Sequence, residues 1–220
     1  MDLVGLAQFQ ERADTYLKSH MSRLLASVQA VASKIEAKLK CPFIIMGSWP
    51  AKQIVLAAGE DGNNLPLLTA NDIDVYTGTP GKKTQVAIDY HSIQYLSING
   101  ISQEVNTVSV VQNFGWKSLL DNNDINATAV AIEVQRDNHG VLLVEFHVSL
   151  HFWGFLFGGR VLKAVNPASA QTKTLVRLAY KAFPMNLEFD GANIDPCSEI
   201  SLYNAAEYCT NCRSTKRRSV

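Results

Sequence analysis

The chain has 220 residues, 47% of them hydrophobic and 18% charged, with 20 Lys plus Arg set against 20 Asp plus Glu. This length and composition allow one sizeable core without disulfides or a structural metal, and exclude a largely disordered chain. The balanced charge gives no whole-molecule attraction for a polyanion, so any nucleic-acid contact has to come from a local basic patch.

The N-terminal residues MDLVGLAQFQERAD carry acids where a secretory signal needs a basic and then an apolar run, which predicts an intracellular, cytoplasmic setting. Leu6, Phe9, Tyr16, Leu17, Met21, Leu24, Leu25, Val28, Val31, Ile35 and Leu39 recur mainly at three- and four-residue steps with no Pro or Gly between Leu6 and Leu39. The spacing predicts a long amphipathic helix, or two joined, halted by Pro42. Phe43-Ile44-Ile45-Met46 then reads as a buried strand ending in a Gly47-Ser48 turn, and residues 51–58 as a short helix. Residues 59–66, GEDGNNLP, read as a loop.

Ile73 to Tyr76 is β-prone, and residues 86–98 and 105–111 are predicted strands about an Asn99-Gly100 turn. Residues 114–120 suit one or two helical turns. Residues 124–134 and 141–149 are predicted strands joined across Asn138-His139-Gly140. The most apolar stretch, 141–157, is interrupted by Glu145, His147, Ser149 and His151, short of the roughly 18 uninterrupted apolar residues of a membrane span, so no membrane partner is expected. Residues 168–183 fit a helix with Lys173, Arg177 and Lys181 along one face, and the tail from about Asn204 is polar.

Asn71-Asp72-Ile73-Asp74-Val75 carries the most chemistry. Residues two apart on a strand share a face, so the carboxylates of Asp72 and Asp74 project together and repel unless a cation sits between them. Mg²⁺, a hard ion that prefers carboxylate and phosphate oxygens, suits such a pair, although an Asp-x-Asp is also common as a plain solvated turn. Upstream, Gly47-Ser48 lies between an apolar strand and a helix start, where a glycine permits close approach of an anion and the helix N-terminus favours it.

The order helix, strand, Gly47-Ser48, helix, then Asp72-Ile73-Asp74 on a strand resembles the nucleotidyltransferases of the DNA polymerase β superfamily, which includes poly(A) polymerases, CCA-adding enzymes and small antibiotic-modifying transferases. The resemblance covers about residues 25–185. It implies an α+β fold, a polymerase β-like mixed sheet flanked by helices, with an N-terminal helix (1–40) packed on a core (41–185) and a C-terminal extension (186–220). It also implies a third acid on a later strand, best matched by Asp124, with Asp121 and Glu145 as competing candidates. Asp72, Asp74 and Asp124 would bind Mg²⁺ or Mn²⁺ in a two-metal arrangement. Gly47 and Ser48 would grip the β and γ phosphates, and Lys173 and Arg177 would face the triphosphate unless they line a solvated helix face. The implied substrate is a nucleoside triphosphate, ATP first, and the acceptor an RNA end, a protein hydroxyl or a small molecule, with pyrophosphate released. Two departures from the family pattern, a long spacer from Ser48 to Asp72 and Asn123 in place of an apolar residue before the third acid, motivate the alternative of a catalytically inactive scaffold, such as a viral or complex-forming component.

Other signals are weaker. Four cysteines, Cys41, Cys197, Cys209 and Cys212, are too few and too uneven for a disulfide framework, and Cys209-x-x-Cys212 is at most half of a zinc site. His147 and His151 stand four apart yet span a predicted strand, which favours core or boundary positions. Trp116, Trp153 and Phe155 are expected in the core rather than as base-stacking platforms.

Overall fold

The computed structural model describes residues 3–59, 72–78, 89–98, 100–110, 114–163, 165 and 189–190. Helix α1 (Leu3–Leu39) is followed by strand β1 (Phe43–Met46), helix α2 (Ser48–Ala57), and strands β2 (Asp72–Gly78), β3 (Asp89–Ile98) and β4 (Ile101–Val110). Then come helix α3 (Trp116–Asp121), a 3-10 turn (Asn126–Thr128), strands β5 (Val130–Arg136) and β6 (Leu142–Val148), helix α4 (Leu150–Phe157), and the two-residue strands β7 (Leu162–Lys163) and β8 (Phe189–Asp190).

Six strands form one mixed sheet in the order β3-β4-β2-β1-β5-β6, parallel at β2/β4 and antiparallel elsewhere. This is the α+β architecture, a mixed sheet with flanking helices, that the sequence led us to expect. No helix among the described residues is long and apolar enough to cross a membrane.

The period-two pattern of β2 sorts the two faces of the sheet. Ile73 and Val75 are fully buried and join Phe43, Ile45, Ile132 and Val134 in the main core, while Asp72, Asp74 and Tyr76 on the other face are half-buried. The main core is closed by the buried stripe of α1 (Leu24, Val28, Val31, Ala32, Ile35), by Ile54 and Val55 of α2, and by Phe152, Trp153 and Phe155 of α4. Tyr16 of α1 meets Trp153 and Phe157 edge-on, with ring centroids 5.7 and 5.6 Å away. On the opposite face a smaller cluster, Ile44, Met46 and Ala131, lies beneath Phe114, Trp116, Leu119 and Leu120. Gly78 allows this cover to close down, since a Cβ there would stand 2.9 Å from Phe114 Cδ1.

The C-terminal end of α1 is tied to β5 by a two-pronged ion pair, Arg136 Nε and Nη2 donating to the two carboxylate oxygens of Glu36 at 2.7 Å each. The hydrogen bond from Arg136 holds the Glu36 carboxyl below its ordinary value. A lowered folded-state value means that the contribution to stability is complete above the ordinary carboxylate range and is lost as pH falls through the lowered value. Glu36→Gln is therefore expected to lower the urea midpoint at neutral pH and to leave it unchanged in acid, a convergence that paired urea titrations would read.

The expected strand over 124–134 divides in two, because strand geometry begins only at Val130. Side chains upstream hold the backbone in a turn: Asn123 Nδ2 donates to the Ile125 carbonyl, Thr128 Oγ1 to the same carbonyl at 3.1 Å, and Asn126 Oδ1 accepts from the amides of Ala127 and Lys163 at 2.9 and 3.0 Å. Such local side-chain to backbone bonds compete with a strand ladder. Asn123 is only 8% exposed, and the Ile125 carbonyl keeps its bonds from Thr128, so Asn123→Ala removes one buried hydrogen bond and is expected to cost about 0.5–1.5 kcal/mol in a denaturant titration.

Candidate active site

The acid pair is positioned by the two strands that flank β2. In the register, Met46 of β1 faces Asp74 on one side, while Asn106 and Glu104 of β4 stand beside Asp74 and Asp72 on the other. Residues paired across a ladder share a face, so Asp72, Asp74, Glu104 and Asn106 make one polar group beside the cluster of Ile44 and Met46. The amide Nδ2 of Asn106 donates to Asp72 Oδ2 at 2.9 Å and to Asp74 Oδ1 at 3.3 Å. The two carboxylates thus converge on one neutral hydrogen-bond donor.

Gly47 borders the same group. Its φ of +102° lies where L side chains are strained, and a Cβ built on it would come 3.7 Å from Asp74 Oδ2. Glycine therefore serves two needs here: it makes the turn from β1 into α2 and keeps the space beside the carboxylate open. Its own amide is engaged, donating to the Val130 carbonyl at 3.2 Å. The donors that α2 turns toward this end are consequently the amides of its first turn, those of Ser48 and Trp49, since helix-opening amides have no partner within the helix and Pro50 has no N–H.

Asp124 lies in the segment that leads into β5, with β1 between that strand and β2. Its carbonyl accepts from the Val165 amide at 3.1 Å, and it is half-buried. The β5 end of this segment approaches the site at Val130, where the Gly47 amide is held. Asp121 is exposed and pairs with Lys117 at 2.7 Å, and Glu145 lies on β6, three strands from β2. Lys173, Arg177, Cys197, Cys209 and Cys212 lie outside the described residues.

Sequence reasoning missed Glu104 and Asn106. Nothing local marks them within Ile101-Ser102-Gln103-Glu104-Val105-Asn106, because they reach the acids only through the parallel β2/β4 pairing. The signal available was their two-residue spacing, which matches that of Asp72 and Asp74. A separate cleft of about 600 Å³ lies between α1, α3, β6 and α4; Asp14, Trp116, His147, His151 and Trp153 are in its walls, and neither Asp72 nor Asp74 is.

No family model matches the chain, and no curated protein sequence matches it. Among solved structures it is similar to the Thermotoga maritima CCA-adding enzyme complexed with tRNA, at 15% identity over 87% of this chain and 46% of that one, with a TM-score of 0.47. It is also similar to CCA-adding enzyme in complex with ATP, at 13% identity over 90% of this chain and 46% of that one (TM-score 0.48), and with CTP, at 12% identity over 81% and 42% (TM-score 0.46). The chain spans less than half the length of these enzymes.

Proposed function

We propose that this chain is a Mg²⁺-dependent nucleotidyltransferase that moves a nucleoside monophosphate from a nucleoside triphosphate to a hydroxyl acceptor and releases pyrophosphate. The observation that carries this reading is the convergence of Asp72 and Asp74 beside Gly47 and the first turn of α2. The donor set fits a divalent ion: two carboxylates from one strand already converge on one hydrogen-bond donor, the neutral Asn106 amide, and hard oxygen ligands of this kind suit Mg²⁺. Asp72 and Asp74 would hold the ion, with Asp124 as the third acid of this proposal. Bound there, Mg²⁺ would offset charge on the triphosphate and on the oxygens that attack and leave.

The protein's own groups supply the rest. Ser48, through its amide and hydroxyl, and the Trp49 amide would receive phosphate oxygens at the positive end of α2. Gly47 leaves room for that approach. In this proposal Asp124 takes the proton of the acceptor hydroxyl, while Lys173 and Arg177 add charge toward the phosphates. ATP is the first nucleotide to test and an RNA end the first acceptor. Transfer of ³²P from α-labelled ATP, dependent on Mg²⁺ and accompanied by pyrophosphate, is the expected result; absence of both across all four nucleoside triphosphates would overturn the proposal.

One observation favours a second reading. The side chain that touches both acids from the neighbouring strand is an amide, Asn106, and an amide cannot take up a proton as a carboxylate can. In that reading the chain binds a Mg²⁺-nucleotide without turning it over and acts as a binding module. Nucleotide binding by calorimetry with no pyrophosphate release would select it.

A further inference from the structure

On the same face of the sheet, beyond the apolar cluster, three side chains unrelated to the acid pair come together. Glu133 of β5 stands directly opposite Glu145 of β6, and Ala131 opposite His147, so Glu133, Glu145 and His147 project to one side of the β5/β6 hairpin. One ligand atom from each lies within 4.8 Å of the other two. His147 Nε2 is 3.3 Å from Glu133 Oε2 and 4.0 Å from Glu145 Oε2.

We propose that Glu133, Glu145 and His147 form a binding site for a divalent transition-metal ion of the Zn²⁺ class, which cross-links β5 to β6. Bonds of about 2.1 Å at tetrahedral angles put ligand atoms about 3.4 Å apart. The Glu133–His147 separation of 3.3 Å is close to that value, and Glu145, at 4.0 Å, is on a side chain that is 57% exposed and so has room to turn. Two like charges directly opposite on an antiparallel pair destabilise it. Neither glutamate has a Lys or Arg partner among the described residues, and the imidazole is the group that stands beside both.

The imidazole is also fixed in place. Trp116 of α3 stacks on it with centroids 4.1 Å apart and planes 5° from parallel, which holds the plane of the ring, and the contact of Nε2 with Glu133 Oε2 at 3.3 Å turns that nitrogen toward the carboxylates. Pre-set orientation of a ligating histidine is what a tight site requires. A nitrogen donor beside two carboxylates selects a late first-row ion over Mg²⁺, so this site and the acid pair would sort different metals.

Co²⁺ titration of the purified full chain tests the proposal, because Co²⁺ shows visible absorption when held by imidazole and carboxylate, and an added thiolate charge-transfer band when held by cysteine. One equivalent bound without the thiolate band is expected, both in the native chain and in Asp72→Asn/Asp74→Asn, which separates this site from the proposed nucleotide site. His147→Gln, Glu133→Gln and the exposed Glu145→Gln are each expected to weaken Co²⁺ binding at least ~10-fold. Zn²⁺ should raise the melting temperature of the native chain and not that of His147→Gln. Absence of stoichiometric uptake, a thiolate spectrum, or binding that survives both glutamate variants would overturn the site.

Discussion

Asp72→Ala and Asp74→Ala are each expected to lower Mg²⁺-dependent transfer of a labelled nucleoside monophosphate by roughly four to six orders of magnitude, the scale seen when one member of a catalytic unit is removed. Both carboxylates reach the same Asn106 amide, so neither can hold an ion there as a pair of ligands once the other is gone. The loss in the double variant should be close to that in either single one, because groups that act together do not contribute additively. Stability should hardly change: both residues are half-buried, and removing one carboxylate relieves repulsion while it loses a hydrogen bond to Asn106. Transfer retained by the double variant would take the acid pair out of the mechanism. Transfer lost with the fold intact would leave it at the centre.

Asn106→Asp carries the second large effect. The neutral amide now bridges two converging carboxylates by donating a hydrogen bond to each. A carboxylate in its place makes three acids meet, which repel one another without a cation and bind one more tightly when it is present. Mg²⁺ or Mn²⁺ affinity is expected to rise about 10- to 100-fold, the range by which groups around a metal site tune it. The melting temperature should fall in EDTA and recover with Mg²⁺, a dependence the native chain would show far less. Calorimetry and thermal melts with and without chelator check both arms. If affinity does not change, Asn106 is a structural hydrogen-bond donor and the ion, where one binds, sits elsewhere.

Much of the fold was legible because it is local. The stripe from Leu24 to Ile35, the stop before Pro42, the all-apolar β1 and the alternation in β2 follow directly from residue spacing, and each forms close to where the pattern puts it. The turn ahead of β5 was misread as strand because the apolar run Ile125, Ala127, Ala129 alternates as a strand would. The polar residues between them decide the outcome by bonding to nearby backbone. The site was half legible for a related reason. Asp72 and Asp74 announce themselves by spacing on one strand, whereas Asn106 reaches them only through the pairing of β2 with β4, which no short window contains. His147, expected at a core or boundary position, is half-buried, but its partners Glu133 and Trp116 come from two other elements.

The bond between Glu36 and Arg136 spans 100 positions of the chain. At ribosomal speed that interval is about 5–20 s. Through it, α1 exists before β5 and β6, against which part of its apolar stripe will rest, and Leu24, Val28, Val31 and Ile35 have an incomplete sheet to cover them. The helix that closes the core is thus without its full sheet through that interval, and chaperone capture during synthesis should fall on it.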